Sequence, residues 1–254
     1  ERRAAADREF LTRLEAIDRP ALSAEEQVNY DIFGRSLREG LREFEFQTHM
    51  MPISDRWGFH ISFPEMPRDL SLVTTRDYEN YIARLRGFKD YAAGHVELMR
   101  EGVRRGITVP SVIMQRYREP LEAQIVSEPP KSLLYAPFSD FPATVPESER
   151  ERLRAEGRAA IAESVVPGYQ RFLEFMRDEY VPNCRGTIAA SALPKGRDYY
   201  RFCAGKFTTV DELTPQEIHN IGLAEVERIR GEMAEIIRGV GFEGDFAEFS
   251  EHLR

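Results

Sequence analysis

Five histidines are the side chains from which a metal site would most readily be built: His49, His60, His95, His219 and His252. Two ligands on one helix must be three or four residues apart to meet at one ion. No two of these histidines have that spacing, so the zincin motif His-Glu-x-x-His is absent from the sequence. We therefore predict no metal site and no bound cofactor within this chain.

Two Glu-x-x-x-His pairs, Glu45/His49 and Glu248/His252, place a carboxylate and an imidazole on one helix face. Each pair offers two ligands to a metal. The alternative is a solvent-exposed pair that stabilises its helix by only about 0.2–0.5 kcal/mol. The sequence favours this second interpretation, and a metal site completed around either pair is kept as a further hypothesis.

Nucleophilic and phosphate-transfer chemistry find little support. Cys184 and Cys203 have Arg185 and Arg201 beside them, but no histidine lies nearby to act as a base. The sequence has neither a Gly-x-Ser-x-Gly elbow nor a Gly-x-x-x-x-Gly-Lys-Ser/Thr loop. Acyl-enzyme and nucleotide-hydrolysing mechanisms are therefore disfavoured, and the cysteines are compatible with one bridge or two free thiols.

Tyr199, Tyr200 and His219 are the candidates for lining a substrate cleft. The adjacent phenols point in diverging directions, so at most one can lie fully in the core. His219 falls in the first turns of a predicted helix, whose N-terminus opposes positive charge on an imidazole and so favours a neutral donor or acceptor. Two packed tyrosines and a contact near the helix cap are the structural alternatives. No residue is assigned a catalytic role.

Composition excludes several classes of protein. The 254 residues carry 35 Lys and Arg against 43 Asp and Glu, a net charge of −8, with 42% hydrophobic residues. These values are ordinary for a globular domain. An acidic balance without a basic block argues against binding nucleic acid. No apolar run approaches the roughly 18 residues that span a membrane.

Helical periodicity predicts an all-α, multi-helix fold. Ser23/Glu26, Thr74/Asp77 and Thr214/Glu217 form capping boxes, in which each side chain satisfies the other residue's free backbone amide. Pro167 should kink or divide one long helix, because proline lacks a backbone donor. The predicted helices cover residues 3–17, about 25 residues after Ser23, 74 to about 105, 110 to about 126, 147–179 and 214 to about 238.

Two segments rich in proline and aromatic residues, 52–67 and 127–146, are predicted as long loops packed on the core. Residues 181–213 are predicted to be irregular. We interpret residues 1–254 as one helical portion of a larger domain, with a possible subdivision near 127–146.

Several short segments in the same order resemble the bacterial domain-of-unknown-function family 885. Their order and spacing, spread over nearly the whole chain, carry the resemblance. The segments are Leu14–Asp18, Asn29–Asp31, Asp77–Tyr81 with Arg84–Leu85, Leu98–Gly102 with Gly106, Leu193–Gly196 with Tyr199–Tyr200, and Leu213–His219 with Gly222–Leu223.

The resemblance implies a zinc enzyme of which this chain is one part. Family members are helical, about twice this length and similar to gluzincin-type zinc metallopeptidases. They carry a His-Glu-x-x-Pro-Gly-His segment after the region that corresponds to this chain. Two histidines and a downstream glutamate hold zinc in such enzymes, and the motif glutamate activates the metal-bound water. None of those motif residues has a matching position in Glu1–Arg254.

The resemblance therefore predicts an amino-terminal half that forms the lid and wall of a substrate cleft in a larger zincin-like helical fold. Its expected partners are a peptide substrate and the carboxy-terminal half of the same protein, and zinc would belong to the full-length protein. The chain begins at Glu1 rather than a methionine, which also suggests a fragment. Relatives often carry export or lipoprotein signals, which favours a periplasmic or lipoprotein-anchored location.

The alternative function belongs to another class. A helical module without catalysis would bind a peptide or a protein through the aromatic segments 52–67 and 133–142. Large exposed apolar patches would favour it.

Overall fold

The computed structural model describes residues 2–254, and its α-helices and shorter helical turns confirm the all-α prediction. Within that range no helix is long and apolar enough to cross a membrane. The α-helices are α1 Arg2–Glu15, α2 Ala24–Glu45, α3 Phe59–Glu65, α4 Thr75–Arg104, α5 Arg118–Glu122, α6 Glu147–Ala160, α7 Val166–Phe175, α8 Gly196–Thr208, α9 Pro215–Gly239 and α10 Phe246–His252.

The chain forms two compact units, Glu1–Lys195 and Gly196–Arg254. The boundary between them lies after Lys195, whereas the segment 127–146 lies inside the first unit. The first unit holds α1 to α7, and the second holds α8 to α10.

α4 is the central helix of the first unit. It begins at the predicted capping box, where Thr74 Oγ1 accepts from the Asp77 amide and the Asp77 carboxylate accepts from the Thr74 amide. One face of the helix is buried, and it contains the apolar stripe that periodicity predicts. The buried residues are Tyr78, Tyr81, Ile82, Leu85, Phe88, Ala92, Val96, Met99 and Gly102.

α4 packs against one continuous helical rod that contains α6 and α7. Two π-helical segments, Ile161–Val165 and Met176–Tyr180, belong to this rod. The first ends two residues before Pro167, whose ring would clash with the carbonyl four residues earlier in a regular α-helix. The wider turn gives the proline ring room, and Pro167 marks the point where the predicted long helix is divided between a π-segment and α7.

The two helices approach each other closely around Ser164 and Gly168. Ser164 Oγ donates to the Arg86 carbonyl at 2.8 Å and accepts from the Lys89 amide at 3.1 Å. A Cβ on Gly168 would lie 2.8 Å from the ring of Phe88, which is 1% exposed. Only a very small residue fits at position 168.

α1 and α2 form an antiparallel pair at the start of the first unit. Ser23 and Glu26 form the predicted capping box at the start of α2. The Arg19 guanidinium donates to both carboxylate oxygens of Asp31, at 2.7 and 2.5 Å, and so fixes the connection between the helices.

The two segments predicted as long loops contain short helices. The 52–67 segment includes α3 and the start of a 3₁₀ turn at Met66–Asp69, and 127–146 includes 3₁₀ turns at Pro129–Lys131 and Leu133–Phe138. Short 3₁₀ turns tolerate proline at their first positions, so the prolines did not exclude them.

The predicted helix over 110–126 is wrong. This region forms a 3₁₀ turn, Ser111–Met114, and the short helix α5. Pro120 accounts for the interruption, because a helix running through it would bring its ring against the carbonyl of Arg116.

The prediction of an irregular segment over 181–213 is also wrong in part, because α8 occupies Gly196–Thr208. The turn at Pro194–Gly196 ends where the helix begins, and Lys195 has a left-handed φ of 55° there. The helix lacks the strong start signals of α2, α4 and α9, so composition alone suggested a loop.

α9 is the longest helix of the second unit, and it starts at the predicted Thr214/Glu217 capping box. Ile237 is the one buried residue of α9. Most of its apolar stripe is solvent-exposed, including Ile221, Val226 and Ile229. α10 follows α9 at the end of the chain, and Phe242 packs on its Phe249 ring at 5.2 Å.

Gly168→Ala should destabilise the first unit by about 1–3 kcal/mol, because the new methyl group overlaps the buried Phe88 ring. Gly94→Ala is the matched control, since position 94 is also in a helix but has no neighbouring atom within 4 Å. The control should gain about 0.5–1 kcal/mol from its higher helix propensity. Urea unfolding of both variants measures the difference, and equal stabilities would contradict the close packing.

Candidate functional site

The three predicted cleft residues lie in the second unit. Tyr199 and Tyr200 are on α8, and His219 is on α9. Tyr199 is half-buried, Tyr200 is 51% exposed and His219 is exposed. At most one phenol is therefore in a packed environment, as the adjacent positions require. Their role in a cleft stays a prediction.

The two Glu-x-x-x-His pairs are engaged in other interactions. Glu45 pairs with Arg42 at 2.6 Å, and His49 lies parallel to the Phe44 ring at 5.0 Å. Glu248 accepts from the Asp245 amide at 2.8 Å as part of the capping box of α10. These contacts support the structural interpretation of both pairs.

The histidines of this chain do not fit a zinc site. His60 and His95 lie in the first unit, where each contacts the Phe59 ring, and His219 and His252 belong to the second unit. Across residues 2–254, no group of three or more His, Cys, Asp and Glu side chains has a geometry that could hold a metal ion. No catalytic step through zinc can therefore be derived from the residues described.

His60 and His95 belong to a buried aromatic cluster around Phe59. The His95 ring stacks on Phe59 at 4.4 Å and 11°, and Tyr91 meets His95 edge-on at 4.7 Å. His60 is 3% exposed, and its Nδ1 is buried without a hydrogen-bond partner. Burial lowers the pKa of His60 to about 4, so its imidazole is neutral near pH 7. His95 is half-buried and packs at the edge of the core through these ring contacts.

The two cysteines are free thiols in this structure. Burial raises the pKa of the Cys184 thiol to about 11. A nucleophilic cysteine needs the opposite shift, because the thiolate is the reactive form. Cys184 therefore packs as an apolar side chain beside the core.

A cavity of about 520 Å³ lies in the first unit, between α1, α2 and the segment that follows α2. Its wall includes Asp7 from α1, Glu43 and Phe44 from α2, and His49 and Trp57 from the following segment. This size is typical of a small-molecule site. Sequence reasoning missed the cavity, because its walls come from positions about 50 residues apart. The single tryptophan in a segment predicted as a loop was the one available signal.

Acid should destabilise the protein through His60. The folded pKa of about 4 lies below the ordinary histidine pKa of 6.5, so the unfolded state binds the proton first as the pH falls. The contribution of neutral His60 to the unfolding free energy is fully present above about pH 6.5. It decreases as the pH falls towards 4, by up to about 3 kcal/mol.

His60→Gln should remove this part of the pH dependence, and the exposed His219→Gln should retain it. Urea unfolding at several pH values between about 7 and 4.5 measures both variants. An unchanged pH profile in His60→Gln would contradict the burial argument.

A crystal structure described as the "putative lipoprotein from Colwellia psychrerythraea" matches with a TM-score of 0.85 and 21% identity. The match covers 98% of this chain but 45% of that chain, so this chain spans less than half of that protein's length. At this identity the likeness shows the fold alone.

No curated protein gives a significant match. The family model described as "Bacterial protein of unknown function (DUF885)" matches residues 1–254, the full length of the sequence. The chain therefore belongs to the DUF885 family of bacterial proteins.

Proposed function

We propose that this chain is the amino-terminal helical part of a zinc-dependent, peptidase-like hydrolase. In this proposal it forms the lid and wall of the substrate cleft, as part of a larger zincin-like helical fold. The observation that carries the proposal is the pair of matches: the family model covers residues 1–254, yet the similar fold occupies 45% of a longer chain.

The exposed face of α9 supports the existence of a covering partner. Ile229 is 44% exposed, Ile236 is 64% exposed and Val240 is 63% exposed. These residues share one face of the helix with Val226 and Met233. An apolar stripe of this length is costly to leave in water. In the proposal the carboxy-terminal half of the same protein covers it.

The zinc ligands belong, in this proposal, to residues that follow Arg254. The side chains of this chain bind and orient a peptide substrate instead, with Tyr199, Tyr200 and His219 as the cleft candidates. A phenol such as Tyr200, half exposed on α8, can donate a hydrogen bond to a peptide carbonyl.

We also propose that the protein is located in the cell envelope, either in the periplasm or anchored as a lipoprotein. The description of the Colwellia protein as a lipoprotein supports it.

The two aromatic segments give little support to the alternative function, a helical binding module without catalysis. Tyr135, Phe138 and Phe141 are buried in the core, so the 133–142 segment offers Leu133, at 60% exposure, as its large exposed apolar side chain. In 52–67, Trp57 is 58% exposed.

The 254-residue chain should carry no stoichiometric zinc and cleave no peptide, whereas the longer gene product should do both. Metal analysis after dialysis and a peptidase assay with and without a chelator measure the two properties. Stoichiometric zinc with chelator-sensitive cleavage in the 254-residue chain would overturn the proposal. In the longer protein, Tyr200→Phe and His219→Ala should leave the zinc content unchanged and lower kcat/KM.

Ile229→Glu tests whether α9 is covered. In the 254-residue chain it should change the unfolding free energy by less than about 0.5 kcal/mol, because the site is partly exposed. In the longer gene product it should cost more than about 2 kcal/mol, since it buries an unpaired charge. Glu227→Gln, on the opposite face, is the control and should be neutral in both. Equal small effects of Ile229→Glu in both proteins would show that α9 is uncovered.

A further inference from the structure

A groove of about 410 Å³ lies between α3 and α4 in the first unit, and the proposed function does not use it. α3 contributes Phe59 and Phe63 to its wall, and α4 contributes Phe88 and Tyr91. The volume is within the range of small-molecule sites, and a mainly apolar wall is typical of them. This surface is called the α3–α4 groove below.

Ring contacts fix the two walls of the α3–α4 groove relative to each other. The Phe63 and Phe88 ring centroids are 4.3 Å apart, and Tyr91 meets the Phe59 ring edge-on at 5.6 Å. Phe59 and Phe88 are buried, while Tyr91 is 51% exposed and keeps part of its surface accessible. Walls held by buried rings need little ordering when a ligand binds, which lowers the free-energy cost of binding.

Gly87 keeps the middle of the groove open. It is exposed and lines the groove, and a Cβ at this position would meet no neighbouring atom within 4 Å. A larger side chain at position 87 would therefore occupy the groove without displacing the core.

Arg84 is the one charged residue in the lining of the groove. Its side chain is exposed, and its Nη1 lies 4.0 Å from Met66 Sδ, which is a weak acceptor. Within residues 2–254, no carboxylate forms an ion pair with Arg84. The guanidinium can therefore donate to an anionic ligand, and a carboxylate can accept two parallel N–H bonds from it.

The acidic residues around the groove do not compensate this positive charge. Glu65, at the end of α3, pairs with Arg68 at 3.2 Å. Asp77 accepts from backbone amides in the capping box at the start of α4. Asp69 and Asp90 are exposed and lie outside the lining. An apolar wall with one uncompensated cation favours an apolar ligand that carries one negative group.

The α4 wall also indicates the length of the ligand. Arg84, Gly87, Phe88 and Tyr91 share one helix face, since they lie three, four and seven residues apart. At about 1.5 Å of rise per residue, the axial distance from position 84 to position 91 is roughly 10 Å. An extended aliphatic chain of about eight carbons has this length.

We propose that the α3–α4 groove binds a medium-chain aliphatic carboxylate. Its carboxylate accepts hydrogen bonds from Arg84, and its chain lies across Gly87 towards Tyr91. Removal of the chain and of the ring surfaces from water supplies the affinity. The guanidinium selects an anion over a cation. The site is independent of the proposed hydrolase function.

Octanoate is the probe, and the methyl group of Met66, which lines the groove, is the reporter. In the 254-residue protein with isotope-labelled methionine methyl groups, the Met66 resonance is identified by its loss in Met66→Leu. Octanoate should shift this resonance saturably. Octan-1-ol should bind about fivefold more weakly, because it lacks the charge, and octylammonium should bind more weakly still.

Arg84→Gln removes the positive charge and keeps a hydrogen-bond donor. It should weaken octanoate binding about threefold to fivefold and leave octan-1-ol binding unchanged. Arg76→Gln is the matched control, since it removes a positive charge from an exposed position on α4 outside the groove. Both affinities should be unchanged in this control.

Gly87→Leu should abolish the shift by filling the groove. Gly94→Leu is its control, because position 94 on α4 is also exposed and open but lies outside the lining. Thermal unfolding should show both variants to be at least as stable as the parent, since leucine has the higher helix propensity.

The proposal would be overturned by the absence of a saturable shift at Met66, by equal affinities for octanoate and octylammonium, or by an unchanged octanoate affinity in Arg84→Gln. Octanoate binding that survives in Gly87→Leu would also overturn it. Tighter binding of N-acetyl-leucyl-leucine than of octanoate would assign the groove to a peptide carboxyl terminus instead.

Discussion

The first unit depends on the close contact between α4 and the rod that contains α7. Ser164 Oγ forms hydrogen bonds with the α4 backbone at Arg86 and Lys89. Gly168 has no side chain and so leaves room for the Phe88 ring. Small side chains at these two positions bring the helix axes close enough for the large aromatic residues on either side to interlock. Phe59 then packs on Phe172 at 4.8 Å and the remaining segments cover the pair.

The irregular segments are fixed by contacts with this helix pair. Tyr81 on α4 donates its hydroxyl hydrogen to the Leu134 carbonyl at 2.7 Å, which satisfies a buried polar group in the 3₁₀ turn. Gly157 on α6 leaves room for the Phe138 ring, since a Cβ there would lie 2.6 Å from it. The helix pair therefore provides the surface on which both the aromatic cluster and the segment carrying Trp57 are ordered.

Local signals in the sequence predicted the long helices well, because capping boxes and periodicity act within a few residues. The starts of α4 and α9 and the apolar face of α4 were confirmed for this reason. α8 lacks a strong start signal, and the effect of Pro120 depends on where a helix begins, so both regions were mispredicted. The cavity at Trp57 joins distant parts of the chain, and no local pattern contains that information. The roles of Tyr199, Tyr200 and His219 depend on what surrounds the second unit.

In the proposed function, residues 2–254 frame a reaction whose metal ligands lie in other residues. The most direct measurement is an anomalous-difference map, recorded at the zinc absorption edge, from crystals of the intact gene product. We predict a zinc peak whose protein ligands all come from outside residues 2–254. A peak within bonding distance, about 2.0–2.3 Å, of any side chain in this range would contradict it.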